Sequence, residues 1–232
     1  MHVGRRAMVD RMVFSSEREF RLDREQHFTA VRQAVEQCDV FVFTLGLTEA
    51  WVNREDGAVY PLCPGTAAGT FDPARHRFVN FRMTQVLGDM REALDFIRDR
   101  NPRVRFILTV SPVALVATAE DRHVLVSTTY SKSVLRTVCG ELDAQYEDVA
   151  YFPSYEIISG SFSRGAYYAP DSREVTEAGV QHVMRLFMKH YTEVAEAEPA
   201  AIAPDPPRTA AEVARGIDEV VKVICDEEAL DR

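Results

Sequence analysis

The sequence predicts an α/β fold built on a three-layer, mostly parallel sheet, and two observations lead to this prediction. Three short runs, 39–46, 104–110 and 149–153, are almost continuously apolar, as expected of strands that are buried on both faces. Segments with apolar residues at helical spacing lie before, between and after these runs. This alternation of helices and strands implies right-handed crossovers, and therefore parallel strands covered by helices.

Four helices are predicted from the spacing of their apolar residues. Their approximate ranges are 23–37, 84–99, 130–145 and a last helix within 171–191. Asn101-Pro102 should end the second helix, because the residue before a proline is disfavoured in the α region. In the last helix the residues expected to face inward are Val180, Val183, Met184 and Phe187.

A long loop is predicted over residues 52–81, which contain many turn formers. Asp56-Gly57, Pro64-Gly65 and Asp72-Pro73 are pairs of this kind. A loop of this length inside a compact domain is usually functional or acts as a lid. We therefore predict a functional loop here rather than a plain connection.

The C-terminal part of the chain differs from the rest in composition. We divide the chain into an α/β domain, 1–191, a linker, 192–208, and a C-terminal helix, 209–232. The linker is rich in Ala, Glu and Pro, which is typical of spacers. The helix should dock on the domain or on a partner, and docking within the chain is our expectation. Its narrow apolar stripe consists of Val213, Ile217, Val220, Val221 and Ile224.

Composition narrows the functional classes. The formal net charge of -9 argues against a nucleic-acid backbone or an anionic membrane as the main partner. The four cysteines are scattered and fit neither a zinc site nor a disulfide framework, and no cofactor is predicted. No apolar run approaches the roughly 20 residues that span a bilayer. No hydrophobic stretch follows the basic residues near the N-terminus, so the cytoplasm is the expected location.

The first predicted strand ends in polar residues around a glycine. In open parallel sheets, ligands bind beyond the carboxyl ends of the strands. Gly46 would let the backbone approach a ligand closely, and Thr48 and Glu49 supply polar groups just beyond it. The alternative is that Gly46 is only a turn residue and that Trp51, the sole tryptophan, fills the core.

The second strand end supplies further candidates. Ser111 follows the strand directly, and His123 lies in the loop beyond it. The segment 127–132, which includes Tyr130 and Lys132, is predicted to open the next helix. Its hydroxyls can cap that helix, or its exposed N–H groups can bind an anion; capping is the interpretation that the pattern favours.

A late loop, after the third strand, contains Asp171. This carboxylate either caps the last helix or enters the site as a catalytic acid. The sequence contains no Gly-rich phosphate loop, no G-x-S-x-G elbow and no H-E-x-x-H motif. Motifs of these kinds therefore do not identify the chemistry.

Four segments together resemble the GSCFA-domain family. They are TLGLTEAW at 44–51, TVSPV at 109–113, STTYSKSVLR at 127–136 and YFPSYEII at 151–158. The resemblance covers roughly residues 10–191, in the same order along the chain. That family is similar to the SGNH/GDSL hydrolases and the PC-esterases, which implies an SGNH-like, flavodoxin-like sheet and ester chemistry.

The resemblance also implies roles for particular residues. Gly46 and Thr48 fall near the block in which a Gly and an Asn form an oxyanion hole. Asp171 falls near the block in which an Asp and a His, three residues later, complete a triad, but the third residue here is Glu174. The family's Gly-Ser-Cys-Phe-Ala segment, with its nucleophilic serine, does not occur in this sequence. We therefore expect an N-terminally shortened form with an exposed strand edge, through which a homo-oligomer could form.

Two functional hypotheses follow. The first is an SGNH-like ester hydrolase or acyltransferase on an acylated substrate, with carbohydrate esters among the candidates. Asp171 would then orient His123 or Glu174 as the base, and ligand contacts are expected from Gly46, Thr48, Glu49, Trp51, Ser111, Tyr130 and Lys132. The second is a non-catalytic protein that keeps the pocket without the nucleophile, with contacts from Trp51, Arg122, Tyr167 and Tyr168. In both cases the expected ligand is a small molecule or a saccharide ester.

Overall fold

The predicted α/β fold is confirmed by the structure, a computed structural model that describes residues 14–60, 62–66 and 69–192. All three predicted strands and all four predicted helices are present. The elements, in chain order, are α1 (Glu17–Gln37), β1 (Val40–Leu45), β2 (Glu49–Asn53), β3 (Val59–Tyr60), β4 (His76–Asn80), α2 (Met83–Arg98), β5 (Arg105–Val110), α3 (Val124–Gln145), β6 (Val149–Phe152), α4 (Ser154–Ser159), a 3-10 helix (Ser161–Ser163) and α5 (Glu177–Tyr191).

The main sheet has the strand order β1-β5-β6. β1 and β5 are parallel, with Val40 opposite Arg105 and Leu45 opposite Val110. Every residue of β5 after Arg105 is buried, as expected of the central strand of such a sheet. Leu45 marks the carboxyl end at which β1 leaves the sheet.

β1 is an edge strand of the described sheet, with β5 on one side of it. Its side chains are poorly covered, since Val42 is 48% exposed and Phe43 is 43% exposed. The preceding helix, α1, fully buries none of its residues. Within the described ranges, one edge of an apolar strand is therefore open to pairing.

The stretch 52–81 was predicted to be a long loop, and that prediction is wrong. β2, β3 and β4 form a small antiparallel sheet in the order β3-β2-β4, with Trp51 opposite both Tyr60 and Phe78. The turn formers lie between the strands: Asp56 accepts a hydrogen bond from the Ala58 N–H, and Gly57 has a φ of +71°. Strands this short are stabilised by their cross-strand neighbours, which a pattern read along the chain does not identify.

Two helices begin six residues before their predicted starts, and the last helix begins inside its predicted range, 171–191. α1 begins at Glu17, where the Ser16 hydroxyl accepts from the Glu19 N–H. α3 begins six residues before the predicted start, with His123 as its N-cap. α5 begins only at Glu177, and its cap is Thr176 rather than Asp171. In each case a local cap sets the first turn.

The buried face of α5 differs from the predicted one. Val180 is 45% exposed and Met184 is 49% exposed. Gly179 is buried instead, and a Cβ there would lie within 3.1 Å of atoms of Val175, Tyr167 and Ile158. The close approach at this glycine determines which side of the helix is covered.

The described residues form two compact units. The first contains α1 to α3, β1 to β5 and most of β6, and the second contains Ser111–Ala114, α4 and α5. No helix in the described ranges is both long and apolar enough to cross a membrane. The predicted linker, 192–208, and C-terminal helix, 209–232, lie outside these ranges, apart from residue 192.

In the first unit, Arg98 connects the end of α2 to the residue before β6. Its Nε and Nη2 atoms each lie 2.8 Å from a carboxylate oxygen of Asp148. Its guanidinium also lies over the ring of Tyr146, 4.5 Å from the centroid. Paired hydrogen bonds of this kind are stronger than a single ionic contact, and the bond to Asp148 raises the pKa of Arg98.

Arg98→Lys is expected to lower the free energy of unfolding by about 1–2 kcal/mol, because an ammonium group can neither form the paired bonds nor stack on Tyr146. Partial exposure of both partners, 21% and 35% for the side chains, keeps the effect at this modest level. Urea unfolding measures it. The matched control is Arg103→Lys, an exposed position where a change under about 0.5 kcal/mol is expected. Equal losses for the two variants would contradict the assignment.

Candidate functional site

Polar side chains converge at the carboxyl end of β1, where α3 passes the strand. We call Gly46, Thr48, Asn80, Ser131 and Lys132 the strand-end cluster. These residues come from three separate parts of the first unit: the turn after β1, the end of β4 and the second turn of α3. The cluster therefore depends on the tertiary fold, although Gly46, Thr48 and Lys132 are recognisable as candidates in the sequence.

Thr48 is the centre of the cluster and is only 1% exposed. Its hydroxyl donates to Asn80 Oδ1 at 2.7 Å and lies 2.7 Å from Ser131 Oγ. Its N–H donates to the same Ser131 oxygen at 3.3 Å. Because the single hydroxyl proton of Thr48 goes to Asn80, Ser131 must donate to Thr48. Both donors of Thr48 are thus occupied.

A second set of polar groups continues from Asn80. Asn80 Nδ2 donates to Glu120 Oε1 at 3.0 Å, and this bond lowers the pKa of Glu120, with Arg122 contributing in the same direction. Thr118 donates to Glu49 Oε1 at 2.7 Å and lies 3.0 Å from Ser127 Oγ. Carboxylates, amide and hydroxyls therefore satisfy one another.

Lys132 lies on the other side of the turn and is 1% exposed. Its Nζ donates to the Gly46 carbonyl at 2.8 Å. In the described part of the chain no carboxylate forms an ion pair with it. Burial without an opposite charge lowers the pKa of Lys132 from 10.5 to about 8.

The bond from Lys132 fixes the peptide plane between Gly46 and Leu47. The described peptides include no cis bond, and in a trans peptide the C=O and the next N–H point in opposite directions. The Leu47 N–H therefore points away from Lys132. It has no acceptor among the described residues. No atom lies within 4 Å of a Cβ placed on Gly46, so the backbone here is approachable.

The segment 127–132 does not cap α3, so that interpretation is wrong. Ser127 and Ser131 are fully buried inside the helix, one turn apart on the face that carries the strand-end contacts. The cap is His123, whose Nδ1 accepts from the Leu125 N–H at 3.2 Å. In the neutral ring the proton therefore resides on Nε2. In this arrangement His123 offers no free nitrogen lone pair to act as a base.

Trp51 and Tyr130 lie apart from these bonds. Trp51 packs edge-on against Phe71 and Phe78, with centroid distances of 5.2 and 5.6 Å. The Tyr130 ring lies under the Arg122 guanidinium, 5.6 Å from its carbon. Trp51 thus packs within the small antiparallel sheet. This packing agrees better with the alternative that Trp51 fills the core than with a ligand contact.

The remaining predicted residues, Ser111, Asp171 and Glu174, belong to the second unit. Asp171 is exposed and its Oδ1 accepts from the N–H groups of Arg173 and Glu174, both at 3.0 Å. These backbone bonds, led by Arg173, lower the pKa of Asp171. The Ser111 hydroxyl accepts from the Val113 N–H. His182 also belongs to this unit. Among the described histidines of the unit, it is the one whose imidazole bonds a neighbouring side chain, the Tyr167 hydroxyl.

Sequence reasoning missed Asn80. Asn80 ends β4, inside the stretch interpreted as a loop, and the short run His76–Asn80 is the signal that could have identified it. Thr118 and Glu120 were visible as polar loop residues without a partner. Across the described residues no group of His, Cys, Asp and Glu is placed to hold a metal ion.

The lowered pKa of Lys132 predicts a pH-dependent stability. Below about pH 8 the amine is protonated in the folded and unfolded chain, so the full cost of burying the charge is present. Between about pH 8 and 10.5 the unfolded chain binds more protons, so this contribution to stability rises with pH, by about 3 kcal/mol in total.

The measurement is guanidinium unfolding of the wild type and Lys132→Met from about pH 7.5 to pH 10. The wild type should gain stability relative to this variant as the pH rises. Lys189→Met, which changes an exposed lysine, should show no such divergence. A difference between wild type and Lys132→Met that stays constant over this range would contradict the prediction.

Comparison with known proteins identifies the family. No curated protein matches the chain. A model of the GSCFA family matches residues 5–187, which include every element from α1 to β6 and most of α5. The match covers well over half of the sequence, and the chain belongs to the GSCFA family.

Proposed function

We propose that the chain is an SGNH-like ester hydrolase or acyltransferase that acts on an acylated substrate, with acylated carbohydrates as the first class to test. The observation that carries the proposal is the Gly46–Leu47 peptide, held by the buried Lys132 with its N–H directed away. A backbone donor that is fixed in advance suits an ester carbonyl, whose oxygen gains negative charge as the reaction proceeds.

Oxyanion donation is assigned to the Leu47 N–H rather than to Thr48. Both hydrogens of Thr48 already bind acceptors, Asn80 and Ser131, so a substrate would have to displace one of them. Leu47 lies in the same turn and its N–H has no described acceptor. Lys132 acts as a positioning residue, because it orients the peptide without touching the substrate.

Hydrolysis requires a water oxygen to add to the carbonyl carbon, after which the ester C–O bond breaks and the alcohol leaves with a proton. His123 is a poor base for this step, since its Nδ1 is occupied by the Leu125 N–H. Asp171 and Glu174 retain accessible carboxylates, and a carboxylate can serve as a general base. Asp171 and Glu174, which belong to the second unit, stay candidates for proton transfer on the family resemblance alone.

A second candidate function is ligand binding without turnover. The observation in its favour is that two fully buried serine hydroxyls of the first unit, Ser127 and Ser131, bond to other hydroxyls rather than to an imidazole. A serine nucleophile needs an adjacent base. Of the expected ligand contacts, Tyr168 donates to the Pro112 carbonyl and Tyr167 bonds His182, which leaves Arg122 and Trp51 as the better candidates.

Turnover of short-chain nitrophenyl esters and acetylated sugars tests the first function. Lys132→Met should lower kcat by about 10²–10³, the effect of losing one oxyanion donor, with a smaller change in KM. Lys189→Met should leave the rate unchanged. Asp171→Ala should also lower kcat, and an unchanged rate would remove Asp171 from the mechanism.

The two functions are separated by labelling and by binding. Turnover supports the first function, and labelling by a serine-reactive fluorophosphonate would show that a serine nucleophile, rather than water, attacks the ester. Binding of an acetylated sugar measured by calorimetry, without turnover and without labelling, supports the second function. Neither turnover nor binding across the panel would reject both.

We propose the cytoplasm as the location of this activity. Fractionation of cells that express the untagged chain tests the location. Recovery in a membrane or extracellular fraction would contradict it.

A further inference from the structure

β1 presents an open edge of the main sheet. In the described sheet its one strand neighbour is β5, with which it pairs in parallel from Val40 to Leu45. An edge strand carries a row of backbone N–H and C=O groups that can pair with a further strand. The partner that such an edge selects is therefore an extended segment.

Both faces of this edge strand are apolar and poorly covered. Val42 is 48% exposed and Phe43 is 43% exposed, and successive residues of a strand point to opposite faces. None of the residues of β1 is charged. Natural edge strands that stay unpaired usually carry a lysine, a proline or a bulge, and the sequence of β1 contains neither of these two residues.

The helix before this strand, α1, also has apolar surface to cover. None of its residues is fully buried, and Leu22 and Val31 are 56% and 47% exposed. Its end is held to the loop before β5, because Asn101 Nδ2 donates to the carbonyls of Val35 and Cys38 at 3.1 and 2.7 Å. The end of α1 and the start of β1 are thus fixed next to each other.

A second copy of the chain is the partner that these features favour. Each copy carries the same open strand, and a two-fold axis perpendicular to the sheet pairs the two strands antiparallel. With Val42 opposite its counterpart, Phe41 lies opposite Phe43 of the other copy, which forms an aromatic cross-strand pair. The two Asp39 carboxylates, which precede the strands, then lie at opposite ends of the pair, roughly 20 Å apart, so these like charges do not meet.

The area that a stable dimer needs involves α1 as well as β1. A specific interface buries about 800 Å² on each partner, which is more than the edge of one short strand provides. The same two-fold axis places both α1 helices on one face of the joined sheet. Leu22 and Val31 can then be covered by the other copy, in addition to Val42 and Phe43.

We propose that β1 pairs antiparallel with β1 of a second copy of this chain. The pairing joins the two main sheets in the order β6-β5-β1-β1-β5-β6, and α1 of each copy contributes to the interface. The inference is independent of the proposed function, because it concerns the oligomeric state rather than the strand-end cluster.

Sedimentation equilibrium of the full-length chain tests the dimer. The wild type should show twice the chain mass of 26.2 kDa at micromolar concentration. Val42→Lys should weaken the dimer at least about tenfold, because two like charges would lie directly opposite each other. The matched control is Val59→Lys, the same change at a 57% exposed valine of β3, which should leave the dimer intact. A monomeric wild type, or equal weakening by the two changes, would overturn the proposal.

Disulfide trapping tests the register without destabilising the interface. Directly opposite residues of antiparallel strands lie at a distance that a disulfide can bridge. Under mild oxidation Val42→Cys should therefore give a dimer on a non-reducing gel, with the bond mapped to position 42 of both copies, whereas Val59→Cys should not. A dimer without this bond would assign the interface to another surface and overturn the proposal. A monomer whose β1 amides resist hydrogen exchange would also overturn it, since another part of the same chain would then cover the edge.

Discussion

The hydrogen bond from Lys132 to the Gly46 carbonyl constrains the arrangement of the whole strand-end cluster. An amine that is only 1% exposed must find a partner for its polar end, and here that partner is a backbone oxygen just beyond β1. The bond requires α3 to pass close to the strand end. A close approach in turn favours small side chains on this face, which Ser127 and Ser131 provide, and their buried hydroxyls then need partners of their own.

Those partners account for the remaining polar residues of the cluster. Ser131 bonds Thr48, Thr48 bonds Asn80, and Asn80 bonds Glu120. A fully satisfied network of this kind makes the turn rigid, but it leaves few side-chain donors for a ligand. The Leu47 N–H has no acceptor among the described residues, and for this reason the proposed chemistry depends on an oriented backbone donor more than on a reactive side chain.

Two apolar surfaces remain uncovered in the described residues, and they differ in what can cover them. The stripe on α5, formed by Val180, Met184 and Met188, runs along one face of a helix. The open edge of β1 has no strand neighbour within the described sheet, although Val42 and Phe43 are nearly half exposed. An edge of this kind pairs readily with any extended segment, whereas a helix stripe selects for a partner of the same spacing.

The sequence by itself determined the alternation of helices and strands. A strand that is buried on both faces leaves a continuous apolar run, and a helix that is buried on one face leaves apolar residues at helical spacing. It also predicted a site at the end of β1, around Gly46 and Thr48, since parallel sheets bind ligands at the carboxyl ends of their strands. The tertiary structure alone decided the roles of the hydroxyls. Thr48 meets Asn80 and Ser131 across separations of 32 and 83 positions, and no local pattern records such a contact. Likewise 127–132 could cap a helix or be buried within one. α3 begins directly after its cap, His123, and packs at the strand end, so these residues contact the turn inside the helix instead of capping it. The partners of a buried hydroxyl depend on which residues the fold brings next to it.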